Sequence, residues 1–424
     1  MSEPNKLAFG VLGMGAPGAV FANEIIDHPQ LRLVAGCDPR EAGLEPLRAL
    51  DGVAAYTDIE QLIANDEIDA VVVATPTPMH CDHAVRLLRA GKHLLIEKPV
   101  AATPDEGRLI AETARATGRT VVIGVSHSYE TPLRAMRALV DSGRFGPLRS
   151  INALNYNDWW YRPRHPDELD SSKGGSVAYR QAVHHADILQ YLTGGRTPRA
   201  VSAQTGSWAP ERAGIGSYSA LLRYDESLTA YIFYSGYDHF PASELTFGQG
   251  ESGAAKETYG SSRRRIEAVS AEQEAQFKYG PPEVSRRGAL FVKPQGPVTF
   301  GLVIASCEGA DLRVGPEGLL VYSTQGRHEV KLDGIAGGRR VVLDELIGGI
   351  AGRPLTHDAA WGTRNIELCT AIVASGERGQ EVEMSGFVAP FPPSHDRALI
   401  DTVTARYREA VAGAEPKIGV SGGG

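Results

Sequence analysis

The first third of the chain alternates short apolar runs with segments of helical periodicity. Continuous apolar runs cover residues 7–12, 31–37, 70–74, 93–96 and 120–125. Short runs without polar alternation are typical of parallel strands that are buried on both faces. Helical segments cover residues 19–27, 59–65, 80–90 and 104–117. Strand alternating with helix predicts a doubly wound parallel sheet.

The pattern changes after residue 128. Strand-like runs occur at residues 148–154, 200–205, 216–224, 228–235, 319–322 and 328–332, and helical segments at residues 340–351, 361–375 and 394–412. We interpret Ser394 as the N-cap of the last helix. Residues 248–298 show little periodicity and are rich in Gly, Ser, Glu, Arg and Pro, so we expect an insertion or a long surface connection. We expect the last residues of the chain to be disordered.

The turn between the first strand and the first helix has the sequence GMGAPG at residues 13–18. Gly13 permits a tight turn, Gly15 lets a pyrophosphate approach the backbone, and Gly18 lets the helix pack close to the strand. The helix N-terminus then presents N–H groups to the phosphates. Because strand, turn and helix occur in register, the segment predicts a dinucleotide site.

The choice of dinucleotide depends on the end of the second strand. Asp38 stands there, twenty residues after Gly18, where a carboxylate would accept hydrogen bonds from the adenine-ribose hydroxyls. A carboxylate repels a ribose phosphate, so Asp38 favours NAD. Arg40 weakens that preference, because an arginine at this place could receive the phosphate of NADP. We therefore expect NAD, with NADP as the alternative.

Composition argues against several other classes of protein. The chain has 424 residues, and its formal net charge of −8 argues against nucleic acid or an anionic membrane as the main partner. The four cysteines are far apart in sequence, which argues against a disulfide framework and fits a reducing cytoplasm. The apolar run near the N-terminus is broken by glycines and a proline, so we do not interpret it as a signal peptide.

Two further motifs carry a resemblance to a known family. Residues 74–80 have the sequence ATPTPMH, and residues 90–99 have the sequence AGKHLLIEKP, which places Glu97-Lys98-Pro99 at a strand end. Together with the glycine turn, these motifs resemble the glucose–fructose oxidoreductase, inositol dehydrogenase and rhizopine-catabolism (Gfo/Idh/MocA) family. The resemblance covers the first 125 residues firmly, residues 143–195 well and residues 306–381 more loosely.

The resemblance implies an α/β enzyme of two domains. The first, residues 1–128, would be a Rossmann domain with a doubly wound parallel sheet that binds the dinucleotide. The second, residues 129–412, would be an α+β domain whose large, open, mostly antiparallel sheet supports a homodimer or homotetramer, with residues 413–424 as a flexible tail. The cofactor would be held by Gly13, Gly15, Ala16, Gly18, Asp38, Arg40, Thr75, Pro76, His80, Glu97 and Lys98.

Lys98 is the first candidate for chemistry. Removal of a hydride from a carbinol carbon requires a group that accepts the hydroxyl proton. A free lysine has a pKa of about 10.4, so a lysine that serves as a base near neutrality needs burial or a neighbouring positive charge to lower its pKa. An ion pair between Lys98 and a carboxylate is the alternative, and the resemblance favours catalysis.

A second motif, GGSVAYRQAVHHAD, covers residues 174–187. His184 and Asp187 lie one helical turn apart and share a face. The resemblance makes His184 the partner or acid–base group for the substrate hydroxyl, with Asp187 beside it; a helix-packing histidine is the alternative. In the family's usual form an aspartate stands four residues before the histidine, but here that residue is Arg180. A guanidinium cannot relay a proton but binds an anionic group bidentately, so an acidic substrate becomes more attractive.

A cluster of aromatic and basic side chains lies at residues 156–169. Trp160, Arg162 and Arg164 suit a flat anionic ligand, although an aromatic anchor beside surface arginines explains them equally well. This segment, the Arg-Gln pair before His184 and residues 306–313 resemble the phthalate 4,5-cis-dihydrodiol dehydrogenase branch of the family. Metal sites at residues 184–187 or 80–83 would have incomplete ligand sets, so we expect no metal.

The leading hypothesis is an oxidoreductase that acts on a small molecule. It would oxidise a cyclic secondary alcohol with transfer of a hydride to NAD, and the specific hypothesis is a carboxylated aromatic cis-dihydrodiol that becomes a catechol. A sugar, inositol or glycoside dehydrogenase is the alternative within the family, and Arg180 should then point away from the nicotinamide. An NAD-bound sensor or co-repressor without catalysis is the alternative from another class, and the presence of both Lys98 and His184 argues against it.

Overall fold

The computed structural model describes residues 6–124, 127–209, 212, 214–225, 227–237, 239–251, 259–270, 273–274, 298–384 and 396–413. Its first sheet has six strands: β1 (Leu7–Leu12), β2 (Leu31–Cys37), β3 (Ala54–Tyr56), β4 (Ala70–Val73), β5 (His93–Glu97) and β6 (Val121–Gly124). Five helices connect them: α1 (Ala16–Ile26), α2 (Glu41–Arg48), α3 (Ile59–Ile63), α4 (His80–Arg89) and α5 (Pro104–Thr117).

All strand pairs of this sheet are parallel, in the order β3-β2-β1-β4-β5-β6. The order reverses between β1 and β4, and ligands of such sheets bind at the carboxyl ends of the strands beside this reversal. The doubly wound sheet that the sequence predicts is confirmed. The short strand β3 escaped prediction because it has only three residues, too few for a pattern.

The second sheet has nine strands. They are β7 (Leu148–Tyr156), β8 (Ala200–Gly206), β9 (Ser217–Asp225), β10 (Leu228–Ser235), β11 (Leu302–Cys307), β12 (Ala310–Val314), β13 (Gly318–Ser323), β14 (Gly326–Lys331) and β15 (Val382–Glu383). In the order β14-β13-β12-β11-β7-β10-β9-β8-β15, only β7 and β10 pair in parallel. The expected large, mostly antiparallel sheet is confirmed.

The remaining helices connect or cover these sheets. They are α6 (Thr131–Asp141), α7 (Pro166–Leu169), α8 (Ser176–Arg180), α9 (Ala182–Leu192), α10 (Ser261–Glu267), α11 (Arg339–Ile350), α12 (Ala359–Arg378) and α13 (Arg397–Ala412). Two of them return to the first sheet, because Leu343 and Leu346 of α11 and Ile366 of α12 belong to its hydrophobic clusters.

Helix α12 approaches the first sheet closely and supports the loop after β5. A Cβ on Gly362 would lie 2.9 Å from Val100 and Ile123, and a Cβ on Gly107 of α5 would lie 2.6 Å from Thr363. Asp358 caps α12 by accepting a hydrogen bond from the Trp361 amide, which fixes where the helix begins. The helix therefore packs directly against the segment that follows Lys98.

Several predictions on the later part of the chain need adjustment or lie outside the described residues. Strands β11 and β12 were not predicted, although they form a regular antiparallel pair. Asp396 caps α13 by accepting from the Leu399 amide, whereas the predicted cap Ser394 lies outside the described residues. The predicted tail lies almost wholly outside them, as does much of the segment 248–298. Among the described helices, none combines the length and apolar character needed to cross a membrane.

Candidate active site

The glycine turn has the shape of a dinucleotide cradle. Gly13 has a φ of +91°, and a Cβ there would lie 2.7 Å from the Ala74 carbonyl oxygen. A Cβ on Gly18 would lie 1.9 Å from the Gly13 carbonyl oxygen, so only glycine fits. A Cβ on Gly15 would meet nothing nearer than Pro17 at 4.0 Å, which leaves open space at the N-terminus of α1. These residues fit a bound pyrophosphate.

Asp38 lies behind this turn and is almost fully buried. Its Oδ2 accepts a hydrogen bond from the Met14 amide at 2.9 Å. Arg40 donates its amide and its Nε to Oδ1 and a terminal nitrogen to Oδ2, each at 2.9 Å. Although burial opposes it, these hydrogen bonds hold the pKa of Asp38 below its ordinary value. The structure thus joins the two residues on which the choice between NAD and NADP was expected to depend.

His80 connects the loop after β4 with the loop after β5. One ring nitrogen lies 2.7 Å from the Thr75 carbonyl oxygen and the other lies 2.8 Å from the Pro99 carbonyl oxygen. Pro76 lies in the first of these loops, just before a short 3-10 helix, Thr77–Met79. Because the ring is buried between two backbone carbonyls, it positions the Thr75 and Lys98 loops side by side at the carboxyl edge of the sheet.

Lys98 lies where β5 ends, and its Nζ donates to the Arg180 carbonyl oxygen at 3.3 Å. Burial lowers the pKa of Lys98 from 10.5 to about 7, and the positive charges of Arg180 and Arg164 act in the same direction, against Glu97. Glu97 itself accepts a hydrogen bond from the Lys98 amide, and burial raises its pKa. Lys98 therefore has the properties of a base that is poised near neutral pH.

His184 faces Lys98 from helix α9 and is buried against two rings. The ring centroid of His127 lies 4.6 Å away and that of Phe300 lies 4.8 Å away. Burial and the nearby Lys98 lower its pKa well below the ordinary value, so the ring is neutral. Within the described part of the chain, His184 Nδ1 and His127 Nδ1 are buried and have no hydrogen-bond partner. Buried polar atoms of this kind are typical of ligand sites.

Asp187 stands one turn beyond His184 and is wholly buried. Its Oδ2 accepts from the Ser128 amide at 3.1 Å, and its Oδ1 accepts from the Trp361 indole nitrogen at 2.9 Å. Both oxygens are thus bonded to the protein, and the carboxylate links α9 to α12 and to the segment that carries His127. The predicted contact of Asp187 with substrate stays a prediction, while its observed contacts are those of a positioning residue.

Two of the predicted arginines converge near Lys98. Arg180 donates to the Thr77 hydroxyl and lies 3.4 Å from Glu168 Oε1, while Arg164 lies 3.7 Å from the same oxygen. The Arg164 guanidinium also lies 3.9 Å above the Trp159 ring, and its side chain is only 11% exposed. Burial and the neighbouring arginines lower the pKa of Arg164, which means that its positive charge is poorly compensated.

Arg162 and Trp160 have different surroundings. Arg162 donates to Asp158 at 2.7 Å and lies 3.7 Å from Glu251, and these carboxylates raise its pKa although burial opposes them. Glu251 in turn accepts from the Asn155 amide group at 2.7 Å. Trp160 is fully buried, and its indole nitrogen has no hydrogen-bond partner in the described residues. Arg162 is therefore compensated by two carboxylates, those of Asp158 and Glu251.

Several residues of this site were missed in the sequence. His127 follows β6, so the rule that ligands lie at the carboxyl ends of strands could have found it. Thr77, which contacts Arg180, lies in a loop already assigned to the site. Glu168 sits in the short helix α7, where it completes a capping box with His165. Its spacing of four residues from Arg164 is the signal that could have connected the two side chains. In the described residues, no cluster of three or more potential ligands could hold a metal ion.

Comparison with known proteins identifies the family. An NAD-binding Rossmann model of the GFO_IDH_MocA oxidoreductase family matches residues 7–125, and a GFO/IDH/MocA C-terminal domain model matches residues 133–254. A 1-carboxy-3-chloro-3,4-dihydroxycyclohexa-1,5-diene dehydrogenase of Comamonas testosteroni is 31% identical over 387 residues, which cover 88% of this chain and 95% of that protein. An inositol 2-dehydrogenase of Rhizobium meliloti is 29% identical over 44% of this chain and 54% of its own length.

Solved structures agree with this result. A crystal structure from Bordetella bronchiseptica, described as a dehydrogenase, superposes with a TM-score of 0.82 at 34% identity and covers 89% of this chain and 100% of its own. The resemblance carried by the glycine turn and the Glu97-Lys98-Pro99 motif is therefore confirmed. The chain belongs to the Gfo/Idh/MocA family of NAD-binding oxidoreductases.

Proposed function

We propose that this oxidoreductase oxidises a carboxylated cyclic secondary alcohol, and that its substrate is a phthalate-type aromatic cis-dihydrodiol, which becomes a catechol. One observation carries the proposal: the partly buried cations Arg164 and Arg180 both lie within 4 Å of the single carboxylate of Glu168, close to Lys98. A substrate carboxylate would supply further negative charge at this place. The relative from Comamonas testosteroni, by its name, acts on a carboxylated dihydroxycyclohexadiene.

The residues proposed to hold the cofactor are those of the glycine turn, the Asp38–Arg40 pair and the loops around Thr75 and Lys98. Gly15 leaves room for the pyrophosphate, and α1 directs its N-terminal N–H groups there. His80 keeps the two loops together through the Thr75 and Pro99 carbonyls. When bound, NAD supplies the hydride acceptor.

Lys98 is proposed as the base. With a pKa of about 7, a large share of its amine is neutral at physiological pH and can accept the proton of the substrate hydroxyl. The hydroxyl oxygen loses this proton while its carbon loses a hydride, so a carbonyl forms. The resulting hydroxydienone then transfers a ring proton to oxygen and becomes the aromatic catechol, which makes the overall oxidation favourable.

His184 is proposed to orient the substrate hydroxyl. Its ring is neutral and carries a buried nitrogen without a partner in the described residues, so it can donate or accept one hydrogen bond. Asp187 holds α9 in place through Ser128 and Trp361, and thus fixes the position of His184 indirectly. Arg164 and Arg180 are proposed to bind the substrate carboxylates, with Arg162 and the fully buried Trp160 behind them.

A sugar or inositol dehydrogenase is the second candidate, favoured by the similarity to the inositol 2-dehydrogenase. It would require Arg180 to point away from the nicotinamide. Instead, Arg180 contacts Thr77, in the loop at the carboxyl end of β4 where such sheets bind their ligands. The position of Arg180 therefore supports the acidic substrate over the neutral polyol.

We also propose a domain organisation, an oligomeric state and a cellular location for this protein. We propose residues 1–128 as the cofactor domain and residues 129–412 as the substrate domain, whose sheet forms a homodimer or homotetramer. Exposed Leu221 and Tyr231, which lie opposite each other on β9 and β10, support an interface on this sheet. The described cysteines are all buried and unpaired, which supports a cytoplasmic location. NADP is proposed as the alternative cofactor, with Arg40 as the residue that would meet its ribose phosphate.

A substrate screen tests the proposed function. The purified protein would be offered phthalate 4,5-cis-dihydrodiol, the same dihydrodiol without carboxylates, myo-inositol and a neutral glycoside, each with NAD and with NADP. Reduction of the cofactor is followed by its absorbance. We expect turnover of the carboxylated dihydrodiol and a large loss with its uncharged analogue. Turnover of the neutral polyols alone would refute the acidic substrate.

A further inference from the structure

Two buried imidazoles lie edge to face near Lys98. The ring centroids of His127 and His184 are 4.6 Å apart, and the ring planes meet at 78°. The centroid of the Phe300 ring lies 4.9 Å from the first imidazole and 4.8 Å from the second, so one aromatic ring packs against both. The two histidines are 7% and 5% exposed. Phe300 therefore holds them side by side in surroundings that are almost closed to solvent.

The chain itself fixes the spacing of the two imidazoles. Asp187, one turn after His184 on α9, accepts a hydrogen bond at 3.1 Å from the amide of Ser128, the residue that follows His127. The Ser128 hydroxyl oxygen lies 2.9 Å from a ring nitrogen of His357, which holds the same segment from the other side. The Asp187 carboxylate thus joins the segment that carries one imidazole to the helix that carries the other, and their separation does not depend on a ligand.

Both imidazoles are neutral and have unused hydrogen-bonding capacity. Burial and the positive charge of Lys98 lower the pKa of His127 to about 3 and hold the pKa of His184 well below its ordinary value. In the described part of the chain, Nδ1 of each ring is buried and has no hydrogen-bond partner. A buried N–H group without a partner costs more than a bare lone pair, so we place the proton of each ring on Nε2. Each imidazole then offers one N–H donor.

We propose that His127 binds the hydroxyl next to the one that is oxidised, so that His127 and His184 together select a substrate with two adjacent cis hydroxyls. This inference rests on the proposed function and deepens it. The oxygens of two cis hydroxyls on neighbouring ring carbons are about one hydrogen-bond length apart, which matches donors on two adjacent imidazoles. His184 donates to the oxygen whose proton Lys98 accepts, and His127 donates to the neighbouring oxygen. An analogue with one hydroxyl leaves the His127 donor unpaired, which costs free energy.

The test uses stable aromatic probes that vary the hydroxyls and the carboxylates separately: 4,5-dihydroxyphthalate, 4-hydroxyphthalate, catechol and phenol. Their binding to the full chain saturated with NADH would be measured by isothermal titration calorimetry. The readout is the ratio of the affinity for the dihydroxy probe to the affinity for the monohydroxy probe. This ratio is taken once with the carboxylated pair and once with the uncharged pair, so a general loss of binding cancels.

The variants separate the hydrogen bond of His127 from its packing. His127→Phe keeps an aromatic ring against Phe300 but removes the donor, whereas His127→Gln keeps a donor in a different shape. His328→Phe is the matched control, because this histidine is also buried but lies on β14, where a ring nitrogen is 2.8 Å from the Gln325 carbonyl oxygen. Thermal unfolding of each variant would report any loss of stability.

In the wild type and in His328→Phe, each dihydroxy probe should bind about 3- to 10-fold more tightly than its monohydroxy partner, as expected for one further hydrogen bond. His127→Phe should bring both ratios close to one, and His127→Gln should restore part of the preference. A wild-type ratio close to one, or a ratio that His127→Phe leaves unchanged, would overturn the inference. A ratio that depends on His127 while the carboxylates add no affinity would support the imidazole pair and refute the phthalate-type substrate.

Discussion

The nucleotide side and the substrate side of this enzyme differ in how their polar atoms are satisfied. In residues 6–124, which hold the glycine turn, every buried side-chain nitrogen or oxygen has a hydrogen-bond partner. Around the substrate side, by contrast, buried atoms of His127, Trp160 and His184 have no partner within the described part of the chain. Unsatisfied buried atoms cost free energy, so we infer that a ligand would satisfy some of them.

We infer from this difference that the two sides would achieve specificity in different ways. The glycine turn would bind a dinucleotide through backbone shape, because Gly13 and Gly18 have no room for a side chain. The substrate side would use charge instead. Burial and the positive charges of Arg180 and Arg164 lower the pKa of Lys98, and burial together with Arg162 and Arg180 lowers the pKa of Arg164. Variants of the glycine turn should therefore lose cofactor affinity. Variants of the substrate side should lose turnover or the preference for a charged substrate.

Replacement of Lys98 should have the largest effect. In Lys98→Ala, kcat/KM should fall by about 10²- to 10⁴-fold, because no group remains to accept the hydroxyl proton. Stability should change little, because removal of a buried amine that is partly charged offsets the packing lost with the side chain. Lys331→Ala, at a lysine that is 70% exposed on β14, is the control. Steady-state kinetics and thermal unfolding would compare kcat/KM and stability of the two variants with those of the wild type. Turnover at the wild-type rate in Lys98→Ala would show that Lys98 is not the base.

Replacement of Arg164 should have the next largest effect. In Arg164→Met, which retains an apolar side chain over Trp159, KM for a carboxylated dihydrodiol should rise by about 10- to 100-fold through loss of a charge-assisted hydrogen bond. The value for the uncharged analogue should change little. Arg149→Met, at an exposed arginine paired with Glu308, serves as the matched control. An equal rise for charged and uncharged substrates would mean that Arg164 supports the fold and does not bind the carboxylate.

Replacement of Gly15 should have a smaller effect, which is confined to cofactor binding. Its φ is −66°, which alanine adopts easily, and a Cβ there finds open space. Gly15→Ala should therefore leave the unfolding temperature unchanged while NADH binding weakens by about tenfold, as steric overlap with the pyrophosphate requires. Gly18→Ala, whose Cβ would overlap the Gly13 carbonyl, should lower stability as well. Unchanged NADH binding in Gly15→Ala would place the pyrophosphate elsewhere.

The nucleotide side could be predicted from the sequence because it is local. The GMGAPG turn, β2 and Asp38 lie within residues 7–38, so their spacing and periodicity describe the site almost completely. What the sequence did not show is that Arg40 saturates the Asp38 carboxylate, since this depends on the geometry of four hydrogen bonds. The parallel sheet followed from the same local patterns.

The substrate side could be predicted only in part. Lys98, Arg180 and His184 were found through motifs, but the contact between Arg180 and Thr77 joins residues that are 103 positions apart and depends on long-range packing. The rings of His127 and His184 lie 4.6 Å apart, although 57 positions separate the two residues along the chain. Strands β11 and β12 were missed for a similar reason: each is short, and β11 is stabilised by its pairing with the distant β7.

The most direct test of the account is the ionisation of Lys98 itself. Lysine side-chain NMR of the cofactor-free protein, with Lys98→Ala to assign the signal, would follow the charge of the amine as pH rises. Because the folded environment disfavours the ammonium, the midpoint should lie near 7, and the amine should be mostly neutral above it. Arg180→Met should move the midpoint upward, since it removes a neighbouring positive charge. A midpoint close to the ordinary value of 10.5 would contradict the claim that this site makes Lys98 a base.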